Sequence, residues 1–310
     1  MNHINRLHNR AIVLGAAGFI GIPLVELLVK QGYEVICFDQ NSSPHWPMSV
    51  KSIIGHFEQP PMELFDCLRD AMVYHLVSST RPSQNTDTVS QELVSDISAT
   101  LSYLEKTRHQ NLRWVFASSG GTVYGPEVAC PISENAATNP TCSYGITKLA
   151  IEKYLSLYKR LHGSDYVITR LANPYGPGQD PLRGQGIIAA LIYKALIGES
   201  AVIWGDGEVV RDYIYIDDLI EGLIKSSSGA SGQIYNIGSG VGISINTLIE
   251  KIQSTLNVKL KLDYQQSRSI DVRKNILNSA KIKADLGWEH HTDLADGIIR
   301  TANWIQSTYI

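Results

Sequence analysis

A doubly wound, parallel α/β sheet carrying a smaller C-terminal lobe is the fold that this sequence predicts, on three observations. Short β-branched and aromatic runs alternate with helix-length amphipathic segments through the first half. A three-glycine turn follows the first of those runs and opens the first helix. Beyond about residue 175 the alternation gives way to Gly/Pro-rich turns, helices and isolated strands. Short apolar strands separated by helices require crossover connections, and crossovers make parallel neighbours covered on both faces.

Taken in order, residues 11–14 (AIVL) form the first buried strand, and residues 22–30 form an apolar helix stopped by Gly32. Residues 33–38 (YEVICF), 71–77 (AMVYHLV), 112–117 (LRWVFA) and 166–171 (YVITRL) continue the strand series. Helical periodicity runs over residues 89–106 and 143–161. Residues 1–174 therefore read as the sheet domain, with 205–240 returning to it, and 175–310 as mainly a second lobe.

Composition narrows the function. The 310 residues carry 27 Lys+Arg against 30 Asp+Glu, a net charge of −3, so no basic excess exists for a nucleic-acid partner. No apolar run reaches the length of a membrane span, and the first ten residues lack the apolar stretch of a secretory signal. The four cysteines, Cys37, Cys67, Cys130 and Cys142, fall at wide spacings with no paired motif. That pattern excludes a zinc cage and leads us to expect reduced thiols, a cytoplasmic location and no metal.

Two patterns carry chemistry. Gly15, Gly18 and Gly21 lie between a strand and a helix. There the first glycine permits a tight turn, the second lets backbone approach a pyrophosphate, and the third allows close helix–strand packing. Asp39, 18 positions after Gly21 at the end of the second strand, is placed to accept both hydroxyls of an adenosine ribose. No Lys or Arg follows until Lys51, so NAD is favoured over its 2′-phosphorylated form. The second pattern is Tyr144 and Lys148, four residues apart on one helical face. A phenol is a poor base at neutral pH, and a neighbouring ammonium with a positive cofactor ring would make its phenolate accessible.

GAAGFIG (15–21), Asp39, HLVSS (75–79), SSGGTVYG (118–125), YGITK (144–148), RLANPYGPGQ (170–179) and GDGEVVRDYIYIDDL (205–219) occur in one order. Together, over nearly the whole chain, they resemble the extended short-chain dehydrogenase/reductase family, in particular its nucleotide-sugar 4-epimerases similar to UDP-glucose 4-epimerase. The resemblance implies a Rossmann NAD-binding domain and a nucleotide-sugar-binding lobe. It makes Tyr144 the acid–base and Lys148 the holder of the nicotinamide ribose. Gly15, Gly18, Phe19, Ile20, Gly21, Asp39, Leu76 and Ser118 would join them around the cofactor. For the substrate it implies Asn173, Ile187, Ile188, Arg211, Arg268, Asp271 and Asn275, with the two arginines on the diphosphate and Asn275 gating the sugar C2 substituent. Residues 202–204 would offer backbone to the base. The segments 89–106 and 147–161 match helices through which relatives form homodimers.

Three departures stand out. The family hydroxyl that bridges the sugar O4 and the tyrosine falls on Gly120, so Thr122 becomes the expected replacement. Gly120, Gly121 and Thr122 offer no carboxylate, which disfavours sugar dehydration and decarboxylation. Asp96 stands where relatives carry an asparagine. The reading that follows is an NAD-dependent 4-epimerase of a UDP-sugar serving polysaccharide synthesis. Its alternatives are a reductase of a nucleotide-linked 4-keto-6-deoxysugar and, more remotely, a non-catalytic NAD-sensing regulator.

Overall fold

The computed structural model describes residues 8–79, 89–126, 128–266 and 272–310, with the backbone alone for 89–94. Strand β1 (Arg10–Leu14) leads into helix α1 (Gly21–Lys30), followed by β2 (Glu34–Asp39), β3 (Lys51–Ile54), α2 (Met62–Cys67) and β4 (Ala71–His75). Helix α3 (Val89–Thr107), β5 (Leu112–Ser119), α4 (Ser143–His162) and β6 (Asp165–Leu171) complete the alternating half. The remainder comprises β7 (Asn173–Tyr175), α5 (Ile187–Ile197), β8 (Ser200–Trp204), β9 (Val210–Tyr215), α6 (Ile216–Ser226) and β10 (Gln233–Ile237). It closes with β11 (Gly242–Ser244), α7 (Ile245–Leu256), β12 (Lys261–Gln265), β13 (Lys274–Asn275), α8 (Ala280–Leu286) and α9 (Leu294–Tyr309).

Seven strands form one sheet in the order β10-β6-β5-β4-β1-β2-β3, and every pairing is parallel. The order reverses between β1 and β4, the switch point at which an open α/β sheet leaves a crevice beyond its strand ends. Alternate residues of each strand feed two separate cores. Ala11 and Val13 pack with Leu24, Val25 and Leu28 of α1 on one face. Ile12 and Leu14 pack with Tyr103 of α3 and with Ile151 and Leu155 of α4 on the other.

The departures from the predicted elements are local. Leu76 and Val77, predicted as strand, lie past the end of β4, where the Leu76 N–H still donates to the Leu14 carbonyl at 3.0 Å. Strand β3 escapes prediction because it is a short edge strand with only Ile53 buried. The stretch 205–240 returns to the sheet in part. Strand β10 joins β6, whereas β9 is the centre of a small separate sheet with β7, β11 and β13. A further parallel pair, β8 with β12, flanks it.

Candidate active site

The glycine turn follows from steric need. Gly15 has φ +89° and donates its N–H to the Phe38 carbonyl at 2.9 Å, which ties the turn to β2. A β-carbon on Gly21 would stand 2.2 Å from the Gly15 carbonyl oxygen, so no larger residue fits. At Gly18 the nearest atom to such a carbon is 3.4 Å away. The protein itself leaves room there, and a ligand's approach is the remaining reason for glycine. No side chain caps the first turn of α1 and no acid occupies it. A helix start of this kind offers N–H donors and a positive dipole end to an anion. Asp39 accepts from the Ala17 N–H at 2.9 Å, which places its carboxylate beside the turn.

A cavity of about 610 Å³ opens over the strand ends. Gly15, Gly18, Phe19, Ile20, Gly21, Leu76, Ser118, Tyr144 and Lys148 line one part of it, and Asn173, Ile187, Ile188 and Arg211 another. Most of the cofactor set and part of the substrate set predicted from sequence thus share one space, while Asp39 stands beside the glycine turn outside the lining. A glycine turn with room above Gly18, an open helix start and a buried lysine fit the phosphate and ribose groups of a dinucleotide.

Tyr144, Lys148 and Glu152 follow at intervals of four on the inward face of α4. The Lys148 Nζ donates to the Val77 carbonyl at 3.5 Å and lies over the rings of Phe116 (5.0 Å) and Tyr144 (5.7 Å). Burial lowers the Lys148 ammonium to about 8, against the opposing pull of Asp96 and Glu152. Burial also pushes the Tyr144 phenol up to about 12, opposed by a hydrogen bond with the Ser119 side chain and reinforced by Cys142 and Asp96. The chain by itself thus holds the phenol protonated at neutral pH, and the expected lowering requires the positive cofactor ring beside the ammonium. Below the pair, Glu152 forms a buried ion pair with Arg170 at 2.7 Å.

Several expected contacts fall elsewhere. The Ser118 hydroxyl is committed to Glu152 at 2.5 Å, so this residue faces the cavity without a free hydroxyl. Thr122 does not line the cavity. Its hydroxyl is buried without a partner, and its β-carbon would lie 3.1 Å from a side chain placed on Gly145. The hydroxyl that meets Tyr144 belongs to Ser119, the last residue of β5. Gly120 does not face the cavity either, because a β-carbon there would meet Leu277 Cδ1 at 2.5 Å. Asn275 is buried in β13, donates to the Gly120 carbonyl at 3.0 Å and stands behind the lining. Arg268 and Asp271 lie outside the described residues.

The side chains of Asn173 and Arg211 are anchored to backbone carbonyls of other residues. The Asn173 amide donates to the Asp212 carbonyl at 2.9 Å, and Arg211 to the carbonyls of Val210 and Val272 at 3.0 and 2.5 Å. Sequence reasoning missed Ser119 and Gln179. Gln179 lines the cavity, is 9% exposed, and keeps a side-chain oxygen without a partner. It sits at the end of the RLANPYGPGQ run, the one signal that marked it.

Residues 11–238 match the NAD dependent epimerase/dehydratase family. A putative UDP-glucose 4-epimerase of Methanocaldococcus jannaschii is 31% identical over 96% of this chain and 98% of its own. A dTDP-4-dehydro-6-deoxyglucose reductase of Escherichia coli is 30% identical over 94% and 95%. Among solved structures, a UDP-glucose 4-epimerase of Thermotoga maritima with UDP-glucose superposes with a TM-score of 0.92, at 32% identity over 97% of this chain and 100% of that one.

Proposed function

The chain belongs to the NAD dependent epimerase/dehydratase family, and we propose that within it the protein is a UDP-sugar 4-epimerase that keeps its NAD between turnovers. The observation that carries the reading is the single cavity, in which the glycine turn and the Tyr144–Lys148 pair share space with Asn173 and Arg211. Among the described residues no carboxylate lines that cavity, which supports epimerisation over the carboxylate-assisted dehydrations.

In this mechanism Tyr144 takes the proton of the sugar 4-hydroxyl and returns it after the keto sugar has presented its other face. Ser119 holds the phenol oxygen in line. Bound NAD supplies reversible storage of the C4 hydride. Lys148 holds the ribose next to it, and its positive charge with that of the ring favours the phenolate that burial alone opposes. Arg211, with Arg268, holds the diphosphate through the guanidinium fork. Asp39 binds the adenosine ribose and repels a 2′-phosphate.

The Escherichia coli relative supports a second reading, reduction of a 4-keto-6-deoxysugar by the same tyrosine and lysine. The deciding experiment incubates purified protein with UDP-glucose, UDP-N-acetylglucosamine and UDP-glucuronate without added cofactor and follows the C4 configuration by NMR. Conversion of one of them to its 4-epimer is expected. Turnover only with added reduced cofactor and a 4-keto sugar would replace the reading by the reductase.

We infer further a cytoplasmic homodimer acting in polysaccharide synthesis. Helix α4 exposes Ile146, Tyr154 and Leu161 while Leu155 turns into the core, which supports a second copy packing on α4. A monomeric mass by light scattering would exclude the dimer.

A further inference from the structure

Asp96 is a carboxylate 4% exposed on α3, beside the catalytic pair. Its two oxygens accept from the Ser79 N–H at 3.2 and 3.0 Å, and the Ser78 hydroxyl approaches at 3.4 Å. Two residues back along that backbone, the Val77 carbonyl accepts from Lys148. The position of Asp96 is itself fixed: its carbonyl accepts from the Thr100 hydroxyl at 2.7 Å, and that hydroxyl bonds His75 at 3.0 Å.

The charges around Lys148 single out this carboxylate. The ammonium lies over the Tyr144 ring of its own helix, and its charge interacts with Glu152 of that helix, His75 of β4 and Asp96 of α3. His75 is held neutral, its imidazole pushed down to about 3 by burial and by Lys148. Glu152 is matched by Arg170. Asp96 forms no ion pair with any cation among the described residues, so its charge is left to act on the lysine. An amide in its place would keep one acceptor for the Ser79 N–H and lose that charge.

We propose that Asp96 is a positioning residue of the active site, pinning the 77–79 backbone over the cavity and holding the Lys148 ammonium charged and in place. The proposal rests on the reading of Lys148 as the residue that holds the cofactor ribose. Asp96 touches neither cofactor nor substrate in this scheme and acts through Lys148.

The test measures the lysine directly. Competitive acylation of the full chain across pH 6–10, read on the Lys148 peptide by mass spectrometry, gives the pH at which the amine becomes reactive. Asp96→Asn is expected to move that midpoint down by about one pH unit, with roughly fivefold faster acylation at pH 7. In turnover, the alkaline limb of kcat should move in the same direction. An unchanged midpoint in folded Asp96→Asn overturns the proposal. So does failure of both Asp96→Asn and Asp96→Ser to fold, because the carboxylate would then be a structural group. Acylation needs no substrate: a shifted midpoint in a protein that epimerises no UDP-sugar would leave this proposal standing and remove the proposed activity.

Discussion

Gly21 lies against Gly15 so closely that the carbonyl oxygen of one occupies the space a β-carbon of the other would need, at 2.2 Å. Gly18, between them, is under no such pressure, with 3.4 Å to its nearest neighbour. Gly21→Ala should therefore destabilise the fold by about 2 kcal/mol, the scale of overpacking against backbone. Gly18→Ala should melt near the wild type yet weaken NAD⁺ by about tenfold or more, about 1.4 kcal/mol. Thermal melts and cofactor titration on both variants separate the two roles.

Ser119 supplies the hydroxyl that bears on Tyr144, and the Thr122 hydroxyl is buried without a partner outside the cavity lining. Ser119→Ala should lower kcat with little change in nucleotide binding, and Tyr144→Phe should lose about 10²–10⁴-fold. Thr122→Val should keep near-full turnover. A large loss in Thr122→Val with an active Ser119→Ala would reverse the assignment.

Lys148 is 2% exposed, and burial brings its ammonium from 10.5 to about 8. Below pH 8 the folded chain carries a buried charge that the unfolded chain carries in water, a cost of about 3 kcal/mol. Between pH 8 and 10.5 the unfolded chain binds the extra proton, so this cost fades as pH rises. Lys148→Met should raise the melting temperature at pH 7 by roughly 3–6 °C while abolishing turnover. The gain should shrink when the melts are repeated at pH 10.

His75 gives the opposite limb. Its ring is 2% exposed and its folded value, about 3, lies below the ordinary 6.5. It is neutral in both states above pH 6.5. Between 6.5 and 3 only the unfolded chain gains a proton, so stability falls with falling pH by about 1.4 kcal/mol per unit from this group. His75→Gln should flatten the acid limb of a denaturation series taken from pH 7 to 4.

The parts of this site legible in the sequence are those fixed by local geometry. The glycine turn and the interval from Tyr144 to Lys148 need only a strand end and a helical period, and both lie where the spacing puts them. The sequence points to Thr122 and leaves Ser119 unmarked because position along a turn does not tell which hydroxyl lines the cavity. That depends on Leu277, which arrives from more than 150 residues away and fills the space beside Gly120. Asn275 was misplaced for the same reason, since its amide is drawn to the Gly120 carbonyl. The end of β4 before Leu76 and Val77 is equally non-local: β5 pairs β4 only as far as His75, opposite Phe116.

Helix α4 carries Tyr144, Lys148 and Glu152 along one side and exposes Ile146 and Leu161 on another. Phenol, ammonium and buried carboxylate are therefore mounted on a single helix. A sliding of that helix displaces all three together, by about 1.5 Å per residue of register, and leaves their mutual alignment intact while changing their distance to everything opposite. In the proposed dimer, a second copy packing on Ile146 and Leu161 would rest on the same helix that carries the phenol into the cavity.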